Sequence, residues 1–542
     1  MALFGKKTQS APVQAARGPE KVAAENPYLG REPIIDRDQA IIGYKLFFRP
    51  GTTLKAKRIN ERNAVLEQIA KRLEADPKAQ VTYPDEITDA NLRDDDGNEV
   101  KEVSLSEMLY ALKTKGVAQS LGAHLGFIKI HPHQLGDELR GIPAAKFPLE
   151  VDIAEILEAI QTEASEEAAA AEEEKENKVA AKNPDTVDEP KVPEILVKLE
   201  KLSNIGYKFV LTGLTEVFDG LEDILPKFRY VKLELHKVGN AASLIEFCKA
   251  IPLPRDTKSP AKKGAKTDSD GSVMQIIATH VETPEDFHIA RDLGCNAYEG
   301  FYFIKPDPEL SLHRGDDYRK ILKLLTLLLA SPELHELVDE IEANPVVGKH
   351  LMVIAEVDAG RKRAKPENIR DAAVISGVKR ITRWTQLLLY ADSKAKVSLE
   401  STPLLQLVCV RAFFMELASE KLPAGAGLGS SDLAFLVGGL SLIDNLFDES
   451  SRDILSKFNL PGVVVDAIAD RSGVLGKLLS LAEAAELGDL EKCQQLCSGE
   501  LGSLTLDDVA LDSLLAIKTF VAQTQLAPDD DVWEQAEVTD DE

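Results

Sequence analysis

The chain has 542 residues, 44% of them hydrophobic and 28% charged, a balance that suits two or three soluble domains with real cores. Its 90 acidic side chains against 64 basic ones give a net charge of -26. Phosphate backbones and anionic lipid repel so acidic a chain, so no nucleic-acid partner and no membrane-surface partner is expected.

Residues 1–26 read as a flexible tail. The opening MALFGKKTQSAPVQAARGPEK has no apolar core of the secretory kind. The longest uncharged apolar run, LAFLVGGLSLI (433–443), is too short to cross a bilayer, so no membrane insertion and a cytoplasmic location are expected. From Tyr28 to Pro306 short apolar strands alternate with helical stretches. The candidate strands are AIIGYKLFF (40–48), GFIKI (126–130), PLEV (148–151), YKFVLT (207–212), YVKLEL (230–235), VMQIIAT (273–279) and YEGFYFI (298–304). Such alternation predicts an α/β domain with a largely parallel sheet.

Two polar stretches interrupt this pattern, the Ala/Glu-rich 161–190 and the Lys/Ser/Asp/Gly-rich 254–272, and both read as disordered insertions. Without them the segment 27–306 keeps 231 residues, close to the roughly 250 of a (β/α)₈ barrel. From 316 to 525 helical spacing runs throughout, broken by Gly and Pro, which predicts a second, all-α domain. Residues 526–542 hold eight acidic side chains and no Lys or Arg, and read as a disordered acidic tail.

In a parallel barrel, chemistry gathers at the carboxyl ends of the strands. Here those positions hold Lys45, Lys129, Glu150, Thr212, Lys232, Thr279 with nearby Glu282, and Glu299. Three lysines interleaved with three carboxylates make a polar lining but a poor metal shell. The same residues also fit ordinary solvated strand ends.

Several blocks in order resemble the EAL domain, the (β/α)₈ barrel that hydrolyses cyclic di-GMP with divalent metal ions. They are REPIIDRDQAIIGYKLFFR, FIKIHPHQL, PLEV, LTGL, YVKLEL, ATHVETPEDF and YEGFYFIKP, and they cover most of 28–306. The helical half resembles an HDOD domain, and EAL followed by HDOD is an architecture of bacterial signalling proteins. Carried over by position, Lys45 stands where the family has a metal-binding glutamate, and Lys129 where it has a metal-binding asparagine. Thr212 and Gly213 replace a pair of aspartates, Thr279 replaces an acidic residue, and Glu299 and Glu32 replace glutamines. Arg49, Glu150, Lys232 and Glu282 remain as a vestigial ligand set.

The resemblance therefore implies a degenerate barrel with no metal and no cofactor. A divalent cation needs several converging oxygens, and ammonium groups at Lys45 and Lys129 would repel it. Lys45 is expected to pair with Glu150 or Glu282 and to occupy the slot of the lost charge. The reading is of a protein that is not an enzyme: an adaptor that binds other signalling proteins. The alternatives are a metal-independent receptor for cyclic di-GMP and, third, a residual phosphodiesterase.

Three further features point elsewhere and are set aside. PAGAGLGSS (423–431) matches the phosphate loop of GHMP-type kinases, but it joins two helices and lacks the kinase α+β surroundings, so it reads as an interhelical loop. His335 and His350 lie on ordinary amphipathic helices, and the chain has no His-Asp dipeptide. Cys493 and Cys497 lie one helical turn apart without further Cys or His, so they read as packed or surface thiols.

Overall fold

The computed structural model describes residues 26–524, apart from 178–191, 254–272, 306–319, 360–364, 392–397, 424–429 and a few stretches of one to three residues. Residues 1–25 of the expected tail 1–26, the tail 526–542, the insertion 254–272 and the core of the glycine loop thus lie outside the described residues. Asn26, placed in the first tail, is buried, and its Oδ1 accepts the Tyr28 backbone N–H at 3.3 Å.

Eight strands close into a barrel in chain order. They are β1 (Tyr28–Asp36), β2 (Ile41–Phe48), β3 (Leu125–Lys129), β4 (Leu149–Asp152), β5 (Phe209–Thr212), β6 (Tyr230–Leu233), β7 (Gln275–Ala278) and β8 (Ala297–Glu299). Strands β2 to β8 run parallel, whereas β1 is antiparallel to both of its neighbours, β2 and β8. The sequence reading lacked β1, because Gly30, Pro33 and the charged pair Arg31–Glu32 interrupt the apolar pattern that marks a strand. The chain reverses after it at Asp36, whose Oδ1 accepts the Asp38 and Ala40 N–H groups, both at 2.9 Å.

The last candidate strand is also shorter than expected. YEGFYFI forms strand only to Glu299. Gly300 then takes φ +140°, a Cβ there would lie 2.3 Å from the Val281 carbonyl oxygen, and Tyr302–Ile304 coil into a 3₁₀ turn. Inside the barrel Ile34, Phe127, Val210, Ile277 and Ala297 form one apolar layer, drawn mostly from odd-numbered strands. A larger cluster fills the space between strands and outer helices.

The helix after β4 runs from Ile153 to Asn177, well into the stretch read as an insertion. Low hydrophobicity suggested a solvated loop there, but Ala and Glu are among the strongest helix formers, and 161–177 continue an outer helix of the barrel.

Beyond the barrel the described elements are helices, from Leu334–Glu342 to Leu506–Thr524. Their core holds Trp384, Phe413, Phe435 and Phe520. The helices Pro403–Glu420 and Ser431–Leu440, which flank the glycine loop, cross closely at Gly438, where a Cβ would sit 2.6 Å from the Ala412 Cα. Cys493 and Cys497 are both buried free thiols.

The helical region packs on the β1–β2 side of the barrel. Leu514 and Ile517 of the last helix join the barrel's outer core. Across the seam the Tyr44 hydroxyl donates to Gln406 Oε1 at 2.7 Å, and His124 Nε2 lies 3.0 Å from Ser401 Oγ. Arg49 pairs with Asp507 at 2.9 Å. No described helix is long and apolar enough to cross a membrane.

Candidate functional site

The pleat of β2 sends Tyr44 and Lys45 to opposite sides. Tyr44 meets the helical region, and Lys45 enters the barrel mouth. There its Nζ lies 3.2 Å from Glu299 Oε1 and 3.7 Å from Glu32 Oε2. Beneath it Lys232, 4% exposed, contacts both Glu150 and Glu299 and sits 5.1 Å from the Phe127 ring centroid. Two ammonium groups and three carboxylates thus form one connected network with Glu299 at its hub.

Burial and charge act against each other in this network. Desolvation opposes ionisation of Glu299, but Lys232 and Lys45 outweigh it and hold the carboxyl below its ordinary range. Burial likewise disfavours the charged forms of both lysines. Glu299 and Glu32 overcome this for Lys45, Glu150 and Glu299 for Lys232, and both ammonium groups are held above their ordinary range. Glu32 is the weak member. Burial, followed by repulsion from Glu299, pushes it up to about 7 despite the attraction of Lys45.

Several expected placements are corrected. Lys45 pairs with Glu299 and Glu32, rather than with Glu150 or Glu282. Glu150 is taken by Lys232, and Glu282 stands at the rim, where burial raises its pKa. Lys129 is 56% exposed and turns outward to Glu155, 3.3 Å away, so only one of the two expected ammonium groups enters the ligand shell from the substituted positions. Arg49 is buried against Asp507 of the helical region. Thr212 Oγ1 donates to Asp152 Oδ2 at 3.3 Å, and Gly213, at φ +76°, leaves that carboxylate room: a Cβ would lie 2.7 Å from it. Thr279 Oγ1 lies 3.3 Å from His280 Nδ1.

Asp507, Asp152 and the hub role of Glu299 were not foreseen. The local signal for Glu32 was its cross-strand register with Lys45, which needs β1 to be recognised. As arranged, the mouth is a poor fit for a divalent cation, because Lys232 contacts one oxygen of Glu150 and one of Glu299, and Lys45 bridges the other oxygen of Glu299 to Glu32. Among the described residues no three His, Cys, Asp or Glu side chains converge as a metal site.

No family model matches the chain. Over 317 residues it is 25% identical to the cyclic di-GMP phosphodiesterase CdgJ of Vibrio cholerae, which covers 58% of this chain and 67% of the relative. The similarity is to a cyclic di-GMP phosphodiesterase. Over 317 residues it is also 22% identical to the uncharacterized protein YuxH of Bacillus subtilis, covering 57% of this chain and 71% of that one. Among solved structures, the EAL domain of Xanthomonas citri FimX in complex with cyclic di-GMP is 12% identical, with a TM-score of 0.27 over 51% of this chain and 85% of that one. At that score the superposition adds nothing to the barrel described above.

The expectation that the chain is not an enzyme is corrected by the first relative, which is named for its phosphodiesterase activity. Lys129, one of the two ammonium groups behind that expectation, lies outside the shell and pairs with Glu155.

Proposed function

We propose that the protein is a cyclic di-GMP signalling protein whose barrel mouth binds the dinucleotide and whose helical region carries the response to other signalling proteins. One observation supports this reading above the rest. Adjacent residues of β2 serve the two regions: Lys45, about one-third exposed, caps the charge network of the mouth, while Tyr44 is hydrogen-bonded to Gln406 in the helix Pro403–Glu420. A phosphate meeting the Lys45 ammonium would compete with Glu299 and Glu32 for it. Any resulting shift of β2 is felt directly at the helical seam. Within this proposal the barrel spans 27–306 and is EAL-like, 316–525 form an HDOD-like domain, and the protein works in the cytoplasm.

Titration of the purified full chain with cyclic di-GMP, with and without Mg²⁺ or Mn²⁺, tests the reading. Saturable binding without added metal, weakened by Lys45→Ala, is expected. Absence of binding under every condition would overturn it. Chromatography of the metal-containing samples for linear pGpG reports in the same experiment whether the mouth also hydrolyses its ligand.

A further inference from the structure

At the seam between the barrel and the helical region lies a cavity of about 60 Å³, separate from the barrel mouth. Its wall is mostly apolar and includes Ile41, Phe301, Leu407, Val410, Phe414 and Ile517. Arg31 of β1 also lines it.

The state of Arg31 is physically unusual. The residue is only 8% exposed. Its Nη1 donates to the Ser120 carbonyl at 3.1 Å, and its guanidinium lies 3.9 Å above the Tyr44 ring centroid. Its Nη2 is buried with no hydrogen-bond partner, and among the described residues no carboxylate lies within ion-pair distance of it. Buried charges are normally paired, because desolvation of an isolated ion costs several kcal/mol. The second arginine of the wall, Arg411, obeys that rule. It is bidentate to Glu486, at 2.9 and 2.7 Å, and bonded to Ser441. Among the described residues Arg31 has no carboxylate counterion.

We propose that this cavity is a binding site for a short-chain monocarboxylate, with the carboxylate on Arg31 and the alkyl group against the apolar wall. The class follows from three constraints. The unpaired guanidinium charge of Arg31 beside the cavity calls for an anion, and a planar carboxylate suits a guanidinium. The lining calls for an apolar remainder. The volume is well under the ~150 Å³ of a cavity that accommodates benzene, so the ligand has about four or five non-hydrogen atoms, the size of acetate or propionate. Since the wall draws on both regions, the bound acid bridges them and favours the docked arrangement. The site does not depend on what the barrel mouth binds.

Calorimetric titration of the full chain with sodium propionate tests this, with sodium chloride, propanol and sodium benzoate as parallel titrants. One-to-one binding with a Kd on the order of 1 mM is expected, with no signal from chloride or propanol and at least about tenfold weaker binding of benzoate. Arg31→Met should abolish binding. Because that variant removes a buried group and could fail to fold, Val410→Phe provides the second arm. It fills the cavity from the wall, so it should keep the thermal midpoint of the free protein while weakening propionate at least about tenfold. No propionate binding, equal heats from propanol or chloride, or undiminished affinity in folded Val410→Phe would each overturn the assignment.

Discussion

Lys232→Met deletes the ammonium that joins Glu150 to Glu299 while keeping much of the side-chain volume. Both carboxylates are buried, and of the two Lys45 contacts only Glu299, so Glu150 is left without its ion-pair partner. Removing one partner of a buried pair typically costs about 3–5 kcal/mol, and two carboxylates depend on Lys232. We therefore expect a loss of about 4 kcal/mol near pH 8. Lys45→Met should cost less, about 1–2 kcal/mol, because its side chain is 32% exposed and Lys232 still serves Glu299.

The pH dependence sharpens this prediction. In the native protein Glu299 is held low, so its contribution is present above the ordinary glutamate range and is lost as pH falls through it. In Lys232→Met, Glu299 loses the stronger of its two lysine attractions, so burial moves its carboxyl up from the native position and less stability remains to be lost as pH falls. The deficit of the variant should thus shrink between pH 8 and pH 5. Urea titrations followed by circular dichroism at both pH values measure it. Tryptophan emission would mislead, because buried Trp384 reports on the helical region. Equal, small losses for the two lysine variants, or a deficit independent of pH, would refute the hub assigned to Lys232 and Glu299.

Glu32→Gln should raise stability near pH 8 relative to pH 5, since a carboxyl raised to about 7 in the folded state loses its contribution as pH rises from about 4.5 through 7, by at most about 3 kcal/mol; urea midpoints across that window check it. His124, driven down to about 4 by burial and then by Arg31, has the opposite sign: its contribution is lost as pH falls from about 6.5 toward 4. His124→Gln should flatten the acid limb of the urea-midpoint profile. Asp507→Asn leaves the buried Arg49 without its counterion and should cost about 2–4 kcal/mol in the same urea titrations. Gly213→Ala places a Cβ at φ +76° and 2.7 Å from Asp152 Oδ2, and a drop of the thermal midpoint is expected.

Much of the barrel was legible because short apolar runs between turn residues mark strands whatever their tertiary setting, and seven of the eight stood out on that basis. β1 did not, because closure buries a strand that carries Pro33, Arg31 and Glu32, and only its neighbours β2 and β8 make this tolerable. With β1 unseen, the Glu32–Lys45 register could not be read, nor could the adjacency of Ile34 to Glu299 that brings the hub beside Lys45. The positions of the mouth residues along their strands were readable; their partners were not, because pairing depends on register and burial. Lys129 shows the same limit, since its place at a strand end says nothing about the outward turn to Glu155. The Arg49–Asp507 pair joins residues 458 positions apart and leaves no local trace. Residues 161–177 were misread for another reason: composition was weighed as solvation, whereas the same Ala and Glu residues are strong helix formers.

Coupling of the mouth to the helical region through β2 is measured most directly by hydrogen exchange of the full chain with and without saturating cyclic di-GMP. Protection should change in β2 and, with it, in the helix Pro403–Glu420 that receives the Tyr44 hydroxyl, and the second change should weaken in Tyr44→Phe. Altered exchange confined to the mouth strands, or a helix response that Tyr44→Phe leaves intact, would contradict the account.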